Sequence, residues 1–486
     1  MSHLTMLYRT LIFIFLTLGI SIIGRTQSFQ FIKQIGDKNG DNFPICKMLS
    51  KGQSIIAWVY NDYTKIDTIN CASKKNTNPF VVSYLNNEGK AKWIWKPDSC
   101  YSSMQVTGIS YSESLSKIFL CGNFSKEATM NNVIYKGNTN GFIIRLDTNG
   151  VFEKIYSISL DTGGINFESM AITVKNEIAV AITYAKNSKF SKSQLSIASI
   201  NYTINKSGYF LLKLDKDLIP IKASKPAYGN KVGKFLVIIR NSSNFITSYS
   251  FTDSLILDNK IYFNGKKVNS SYLTYFDSSL TIQKNVLLFT NNISYAYINS
   301  FCYQKDGSII IGGVFSDSIS IIYERFKSNL VPLFACLDSN LKIKWLQTPD
   351  KGSSVYLNAE IKAVDIAGDF ILAGGVISGN AVFDDFSLPD SLGLFWFFKT
   401  DLRGNILWMR RIARSFNSQY LTSISANNQK HVLLAGFIKD TVRINSKKYY
   451  TNGNSADILL MKIHDIEIYR GQVSKGPYCA GDTIKI

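Results

Sequence analysis

Histidine, proline and metal-spaced cysteine are nearly missing from this chain. Only three His occur, His3, His431 and His464, and none of the seven Cys stands in a C-x-x-C pair, so the usual zinc sites have no ligand set to draw on. No G-x-S-x-G elbow serves a Ser/His/Asp hydrolase, and no glycine-rich phosphate loop serves a dinucleotide. Charged residues make up only 18% of the chain, and no Ala/Glu/Leu-rich stretch promises long helices. After residue 23 no apolar run is long enough to span a bilayer.

What is present is 45% hydrophobic residues over 486 positions, rich in Ser, Asn, Thr, Tyr, Phe and Ile. That composition is globular and favours strands. The first 27 residues read as a secretory signal peptide: Arg9, then the apolar run Leu11–Ile23, then Gly24-Arg25-Thr26-Gln27, small and polar. The run is shorter than the roughly 20 residues of a spanning helix. The mature chain is therefore expected to be secreted or at the cell surface, with no transmembrane segment of its own.

The net charge of +19 is spread out. Lys pairs at 74–75, 266–267 and 447–448 and the cluster Arg410, Arg411 and Arg414 lie far apart, with no aromatic-interleaved basic stripe, which argues against nucleic acid. Acidic polysaccharide or an anionic cell surface stays open as a partner. Cys46, Cys71, Cys100, Cys121, Cys302, Cys336 and Cys479 are odd in number, so at least one is unpaired. A Cys71–Cys100 bridge is one possibility. Cys121 stands where other repeats have Gly or Ala and reads as a small buried hydrophobe.

The dominant signal is a repeat. FIIRLD ending at Asp147 returns as FLLKLD at Asp215, YLTYFD at Asp277, LFACLD at Asp338 and WFFKTD at Asp401, and more loosely as VVSYLN at Asn86 and LLMKIH at His464. Successive endpoints differ by 61, 68, 62, 61, 63 and 63 residues, which makes seven units. Gly122-Asn123-Phe124 and Gly313-Val314-Phe315 recur at matching offsets, with Gly375-Val376-Ile377 and Gly436-Phe437 close to them. Seven residues after the turn position stand Trp93, Trp345 and Trp408, or Lys154, Lys222 and Lys284.

Each unit reads as four short strands separated by Asn, Ser, Gly and Asp: a run such as IFLCGNF, then after a polar stretch a weaker strand such as NNVIYKG, then GFIIRLD, a tight turn, and a strand such as KIKWLQ or NILWMRR. A sheet that small cannot bury both faces alone. Units stacked around an axis solve this, so the predicted fold is an all-β, seven-bladed β-propeller of four-stranded antiparallel blades over residues 28–465. FQFIKQIG at 29–36 resembles the strand that follows the turn in later units, and the seventh unit has no such strand. The N-terminal strand is therefore predicted to close the ring, since otherwise an edge stays unpaired.

Asn86, Asp147, Asp215, Asp277, Asp338 and Asp401 are the residues singled out. Five Asp and one Asn at one position of a repeat is what turn-making predicts, because catalysis needs one acid rather than a ring of copies. They are assigned as structural turn positions. No catalytic, cofactor-binding or metal-binding residue is assigned.

With CGNF at 121–124, GFIIRLDTNG at 141–150, GGVF at 312–315, LAGG at 372–375, FFKTDLRGNILW at 397–408 and ADILLMKI at 456–463, the chain resembles the β-propeller repeats of secreted and cell-surface proteins of Bacteroidetes-type bacteria. That resemblance implies a fold more than an activity. It also implies C-terminal immunoglobulin-like modules and a type IX sorting domain. Residues 466–486 look like the start of an immunoglobulin-like or PKD-like module, and no sorting domain is visible.

Other chemistry finds little footing. Asp37-Lys38-Asn39-Gly40-Asp41-Asn42 has calcium-loop spacing but lacks Gly at the sixth position and an acid at the twelfth, Met48, so it reads as a polar turn. Asp384-Asp385, Glu168, Glu324 and Glu360 are acids from which a glycosidase pair could be drawn, with nothing in the sequence to bring two together. The leading expectation is an exported, monomeric, non-enzymatic binding or adhesion scaffold for a protein or glycan ligand, without cofactor. Alternatives are a secreted carbohydrate-active enzyme with carboxylates at the axis, and a structural module of a larger type IX-secreted surface protein.

Overall fold

A computed structural model describes residues 29–36, 40–73, 77–160, 163–185, 193–197, 200–204, 206–224, 227–231, 234–240, 243–257, 260–263, 269–291, 296–321, 324–349, 358–383, 386–388, 394–411, 420–439, 441–444, 447–451 and 456–463. The proposed signal peptide, the tail from 466, Asp37 to Asn39, Asp384, Asp385, His3, His464 and Cys479 lie outside the described residues.

The protein is an all-β propeller whose blades are four-stranded antiparallel meanders. Blade 41–95 runs Asp41–Met48, Ser54–Tyr60, Phe80–Leu85 and Ala91–Trp95. Blades 104–158 and 358–411 repeat this path. In blade 420–463 the first three strands are Tyr420–Ala426, Val432–Lys439 and Ala456–Ile463, and the outer strand is Phe29–Ile35. It pairs antiparallel with Ala456–Ile463 from Phe29↔Ile463 to Ile35↔Ile458. The two ends of the described chain thus share one sheet.

The expectation of seven separate sheets is corrected between residues 164 and 347. There the meanders 164–223, 236–291 and 296–347 merge into one 14-stranded sheet. The cause is a hairpin inserted between the second and third strands of each unit, which sequence reading took for a weak strand and a polar interval. In blade 104–158 the strands Lys117–Met130 and Val133–Asp147 continue past the blade to a tip at Asn131 and Asn132, with φ of 50° and 62°, the two-residue turn that matches strand twist. Its flank pairs with Ser99 and Cys100, just past the outer strand of the preceding blade. In the merged region the equivalent bonds, Phe289↔Ile321 to Asn291↔Ile319, join one meander to the next.

The middle strands read as unbroken apolar runs because both faces are covered by neighbouring blades. Phe80–Leu85 and Gly208–Leu214 are buried at every position, whereas the outer strand Ala91–Trp95 is not. The cores lie between blades. Ile35, Leu433 and Ile458 pack with Ile56 and Trp58, while Phe80 and Val82 pack with Leu120 and Phe142 on the other side of blade 41–95. The first strands form a cycle around the axis: Asp41–Met48 lies beside Met104–Ser112, followed by Gly164–Ile172, Leu236–Ile239, Ala296–Tyr303, Asn358–Ala367 and Tyr420–Ala426, which lies back against Asp41–Met48.

Those first strands face the axis with an edge of N–H and C=O groups that no further strand pairs among the described residues. The preceding blade covers part of it. Ser423 and Ser425 accept from the N–H of Cys46 and Met48, Ser300 from Val364, Ser169 from Val237, and Asp365 from Ala426. Asp365 is half-buried, and desolvation raises its pKa above the usual carboxylate range against the opposing pull of Lys47 and of the Ala426 and Ile366 N–H groups.

The G-x-F landmark now has a physical cause. Each glycine faces a β-bulge on the first strand, at Gly122, Gly313, Gly375 and Gly436. The bulge pushes a carbonyl, that of Gln105, Tyr297, Glu360 or Tyr420, to within 2.4 Å or less of where a Cβ would sit. Only glycine leaves room.

Six cysteines are described, and all are free. A Cys71–Cys100 bridge does not form: Cys71 belongs to the core between blades 420–463 and 41–95, Cys100 to the core on the opposite face of blade 41–95. Cys121 lies fully buried, as expected of a small hydrophobe. Burial pushes the thiols of Cys46 and Cys121 up to about 12 from 9.0. A raised folded-state pKa means stability that is fully present below pH 9 and lost as the pH climbs toward 12, because only the unfolded thiols can ionise in that window. Thermal unfolding should therefore fall more steeply above pH 9 in the wild type than in Cys46→Ala/Cys121→Ala. Parallel pH profiles would refute this.

Candidate functional site

The six singled-out residues do not converge. One sits in each turn between third and fourth strands, around the periphery of one end of the propeller. In every case one side-chain oxygen accepts two backbone N–H groups ahead of it: Asp147 from Asn149 and Val151, both at 2.8 Å, and Asn86 from Glu88 and Lys90. Asp215, Asp277, Asp338 and Asp401 repeat the pattern. The N–H groups of Thr281 and Ser279, the Ser279 hydroxyl and the Gln283 amide hold Asp277 below the usual carboxylate range. Bonds that favour the ionised form have that effect.

The fourth turn position takes a left-handed backbone, at Gly89, Gly150 and Gly404 with φ of 80° to 90°. At Leu218, Leu280 and Leu341 a leucine adopts it with φ of 59°, 57° and 71°. This costs about 1–2 kcal/mol, which burial of those leucines in the blade cores offsets. The choice follows the preceding blade. Gly150 lies under the ring of Trp93, Gly404 under Trp345 and Gly89 under Phe31. Where the preceding outer strand has Lys154, Lys222 or Lys284 at that register, the turn has leucine.

The carbonyl just after the turn residue receives a bond from the same neighbour. Lys462 Nζ donates to Asn87 at 3.1 Å, Trp93 Nε1 to Thr148 at 2.8 Å, Arg145 Nη1 to Lys216 at 2.5 Å, Lys213 Nζ to Ser278 at 2.7 Å and Trp345 Nε1 to Leu402 at 3.1 Å. Lys462 also donates to Gly52 at 2.6 Å, and desolvation lowers its pKa to about 8. Sequence reading saw Trp93 and Trp345 as landmarks without a role and did not single out Lys462, Arg145 or Lys213. All five are inter-blade latches. Gly150→Leu should destabilise the protein by about 2 kcal/mol through collision with Trp93. Adding Trp93→Lys should recover part of that loss in denaturant unfolding. Strict additivity of the two changes would refute the coupling.

The remaining acids are engaged locally. Glu360 bonds to Asn299 at 2.6 Å and pairs with Lys362 at 2.7 Å, while Glu168 accepts from Thr183 at 2.7 Å. They lie on first strands separated by the meanders 236–291 and 296–347. The backbone of Glu324 is described, but its side chain lies outside the described residues, as do Asp384 and Asp385. Of the calcium-like hexapeptide, Asp41 is buried beside Asp457. The two carboxylates flank Gly36, where a Cβ would come within 2.6 Å of both. Among the described residues no group of three His, Cys, Asp or Glu could hold a metal, and no helix is long and apolar enough to cross a membrane.

Three residues at the opposite end from the turns were not singled out in the sequence. Phe43, in the bulge of Asp41–Met48, is 55% exposed and has φ of 51° directly before Pro44. Tyr101, on the approach to Met104–Ser112, is 64% exposed, and Tyr450, after the Lys447–Tyr449 strand, is 56% exposed. They are the exposed aromatic side chains among the described residues, and all three leave from the end where the first strands begin. Lys126 lies 4.7 Å from the Tyr101 ring centroid and Lys448 lies 5.9 Å from that of Tyr450. The positive φ of Phe43 and the exposure of all three rings needed coordinates.

No family model matches the chain, and no curated protein matches it. Similar solved structures include a protein of unknown function from Dyadobacter fermentans DSM 18053, at 9% identity and a TM-score of 0.42, covering 89% of this chain and 99% of that one. An ulvan lyase from a new family of polysaccharide lyases matches at 9% identity and a TM-score of 0.45, covering 87% and 97%. The Dos1 propeller matches at 9% identity and 0.41, covering 89% and 94%. Likeness at this level carries no argument about activity, and the fold rests on the strand pairing above.

Proposed function

We propose that the protein is an exported, monomeric, non-enzymatic propeller of seven blades that binds a glycan at the cell surface through the end bearing Phe43, Tyr101 and Tyr450. The blade count is supported by the cycle of first strands, each heading its own meander, and by the spacing of the repeat. Export is supported by the apolar run and small residues of the first 27 positions.

Phe43 carries the binding reading. A bulky residue with positive φ, placed before proline, occupies a region sterics disfavour, at about 1–3 kcal/mol. The gain is an aromatic ring directed to water, in a chain whose other described aromatics are mostly covered. Exposed rings offer apolar faces for sugars. The lysines beside Tyr101 and Tyr450 suit a chain that alternates such faces with carboxylate or sulfate, so acidic polysaccharide is the favoured class.

The test is binding to immobilised acidic and neutral polysaccharides. The wild type should prefer acidic chains, and Phe43→Ala/Tyr101→Ala/Tyr450→Ala should weaken binding by tenfold or more with an unchanged thermal transition. Equal binding by the triple variant would refute the site, and appearance of cleaved product would favour the enzyme reading instead.

A further inference from the structure

Asn140 stands directly before GFIIRLD in the third strand of blade 104–158 and is fully buried. Its Oδ1 and Nδ2 have no hydrogen-bond partner among the described residues, whereas buried side-chain amides are as a rule paired. The amide lies against bare backbone: a Cβ at Gly137 would stand 2.1 Å from Oδ1 and 2.9 Å from Nδ2. Gly137 is the cross-strand partner of Lys126, beside a bulge in the hairpin, and residues directly opposite each other direct their side chains to one face. On that face Ala128 and Phe142 meet blade 41–95. Lys126 therefore leaves the sheet over the Asn140 amide. It is exposed, has φ of 63° and reaches out to place Nζ 4.7 Å from the Tyr101 ring centroid. A lysine held at such a φ is strained, and here, as at Phe43, the strain serves an exposed side chain.

We propose that Tyr101, Lys126 and Asn140 form a subsite for one acidic sugar residue, a uronate or a sulfated sugar, with Lys126 as its gate. At rest Lys126 lies on the Tyr101 ring through a cation–π contact, which is weak at an exposed site. A carboxylate or sulfate draws the ammonium off the ring. That frees the ring face for the sugar and uncovers the amide beneath. Asn140 then offers two N–H donors and a carbonyl acceptor to the sugar hydroxyls. A neutral sugar carries no anion to move Lys126, so the gate itself selects acidic chains. The subsite belongs to the face bearing Phe43, Tyr101 and Tyr450 and depends on that reading.

Binding of the full chain to immobilised polygalacturonate, dextran sulfate and dextran tests this, and the stronger of the two acidic polymers tells carboxylate from sulfate. Asn140→Ala removes an amide that makes no hydrogen bond within the described residues. Its thermal transition should be unchanged or raised, while its affinity for the preferred acidic polymer should fall about tenfold. Lys126→Ala should bring the affinities for that polymer and for dextran together. Wild-type affinity in Asn140→Ala overturns the subsite and leaves the aromatic face standing, whereas failure of the wild type to bind either acidic polymer overturns both. If Asn140→Ala does not fold, NMR of the wild type with nitrogen-labelled asparagine decides. Galacturonate or glucose sulfate, whichever matches the preferred polymer, should shift the Asn140 side-chain amide signals, and unmoved signals overturn the subsite.

Discussion

Deleting residues 28–36 should remove most of the protein's stability, although the segment holds under a tenth of the chain. The strand Phe29–Ile35 is the outer strand of the closing blade, hydrogen-bonded to Ala456–Ile463 along its length. Ile35 is fully buried against Ile56, Trp58 and Ile458. Phe31 covers Gly89, Lys33 pairs with Asp67 at 2.7 Å, and Gln34 donates to the Tyr450 carbonyl at 2.6 Å. Removal bares one strand edge and one inter-blade core at once. A loss of about 5 kcal/mol or more is expected, against a usual total of roughly 5–15. Thermal unfolding and gel filtration should show a melting point at least about 10 °C lower and soluble aggregates. A peptide of residues 28–36 added in trans should restore part of the loss. An unchanged melting curve would mean the ring does not depend on this clasp.

Gly375→Ala should cost about 3 kcal/mol, far above the usual effect of this change in a strand. A Cβ at 375 would stand 1.9 Å from the Glu360 carbonyl and 2.9 Å from the Lys362 nitrogen, both backbone atoms of the bulged first strand. Neither can rotate away, so the bulge or the cross-strand register must shift. Gly164 is the control: a Cβ there meets nothing nearer than Thr139 at 3.2 Å, and Gly164→Ala should change stability by about 1 kcal/mol at most. Denaturant unfolding of the two variants decides. Equal midpoints would show that the landmark glycines are not held by the bulges.

Much of this architecture is legible in the chain because repetition exposes it. The Asp and Asn turn residues and the clasp by residues 29–36 follow from spacing and from the lack of a matching outer-strand segment in the sequence after Ile463, whereas the first strand of each unit was not read and the weaker strand counted in its place belongs to the inserted hairpin. The inserted hairpins were not legible. Their strands, such as Lys117–Met130, continue blade strands without a break in composition, and their two-residue tips are shorter than the window in which periodicity declares itself. The merged sheet follows from those hairpins and was missed with them. The landmark glycines were visible, but the bulge that demands them was not, since a bulge is a property of two strands in register.

The candidate face divides in the same way. Phe43, Tyr101 and Tyr450 are three among 26 Tyr and 31 Phe, and nothing local separates an exposed ring from a core one. By itself the sequence determined the repeat, its turns and the route by which its ends meet, because these depend on local chemistry recurring at a fixed interval. Only the tertiary structure decided which side chains latch one blade to the next, which glycines have no room for a Cβ and which aromatics face water. Each of those depends on distances between residues some 60 positions apart, or on opposite ends of the chain, and such distances exist only once the blades pack.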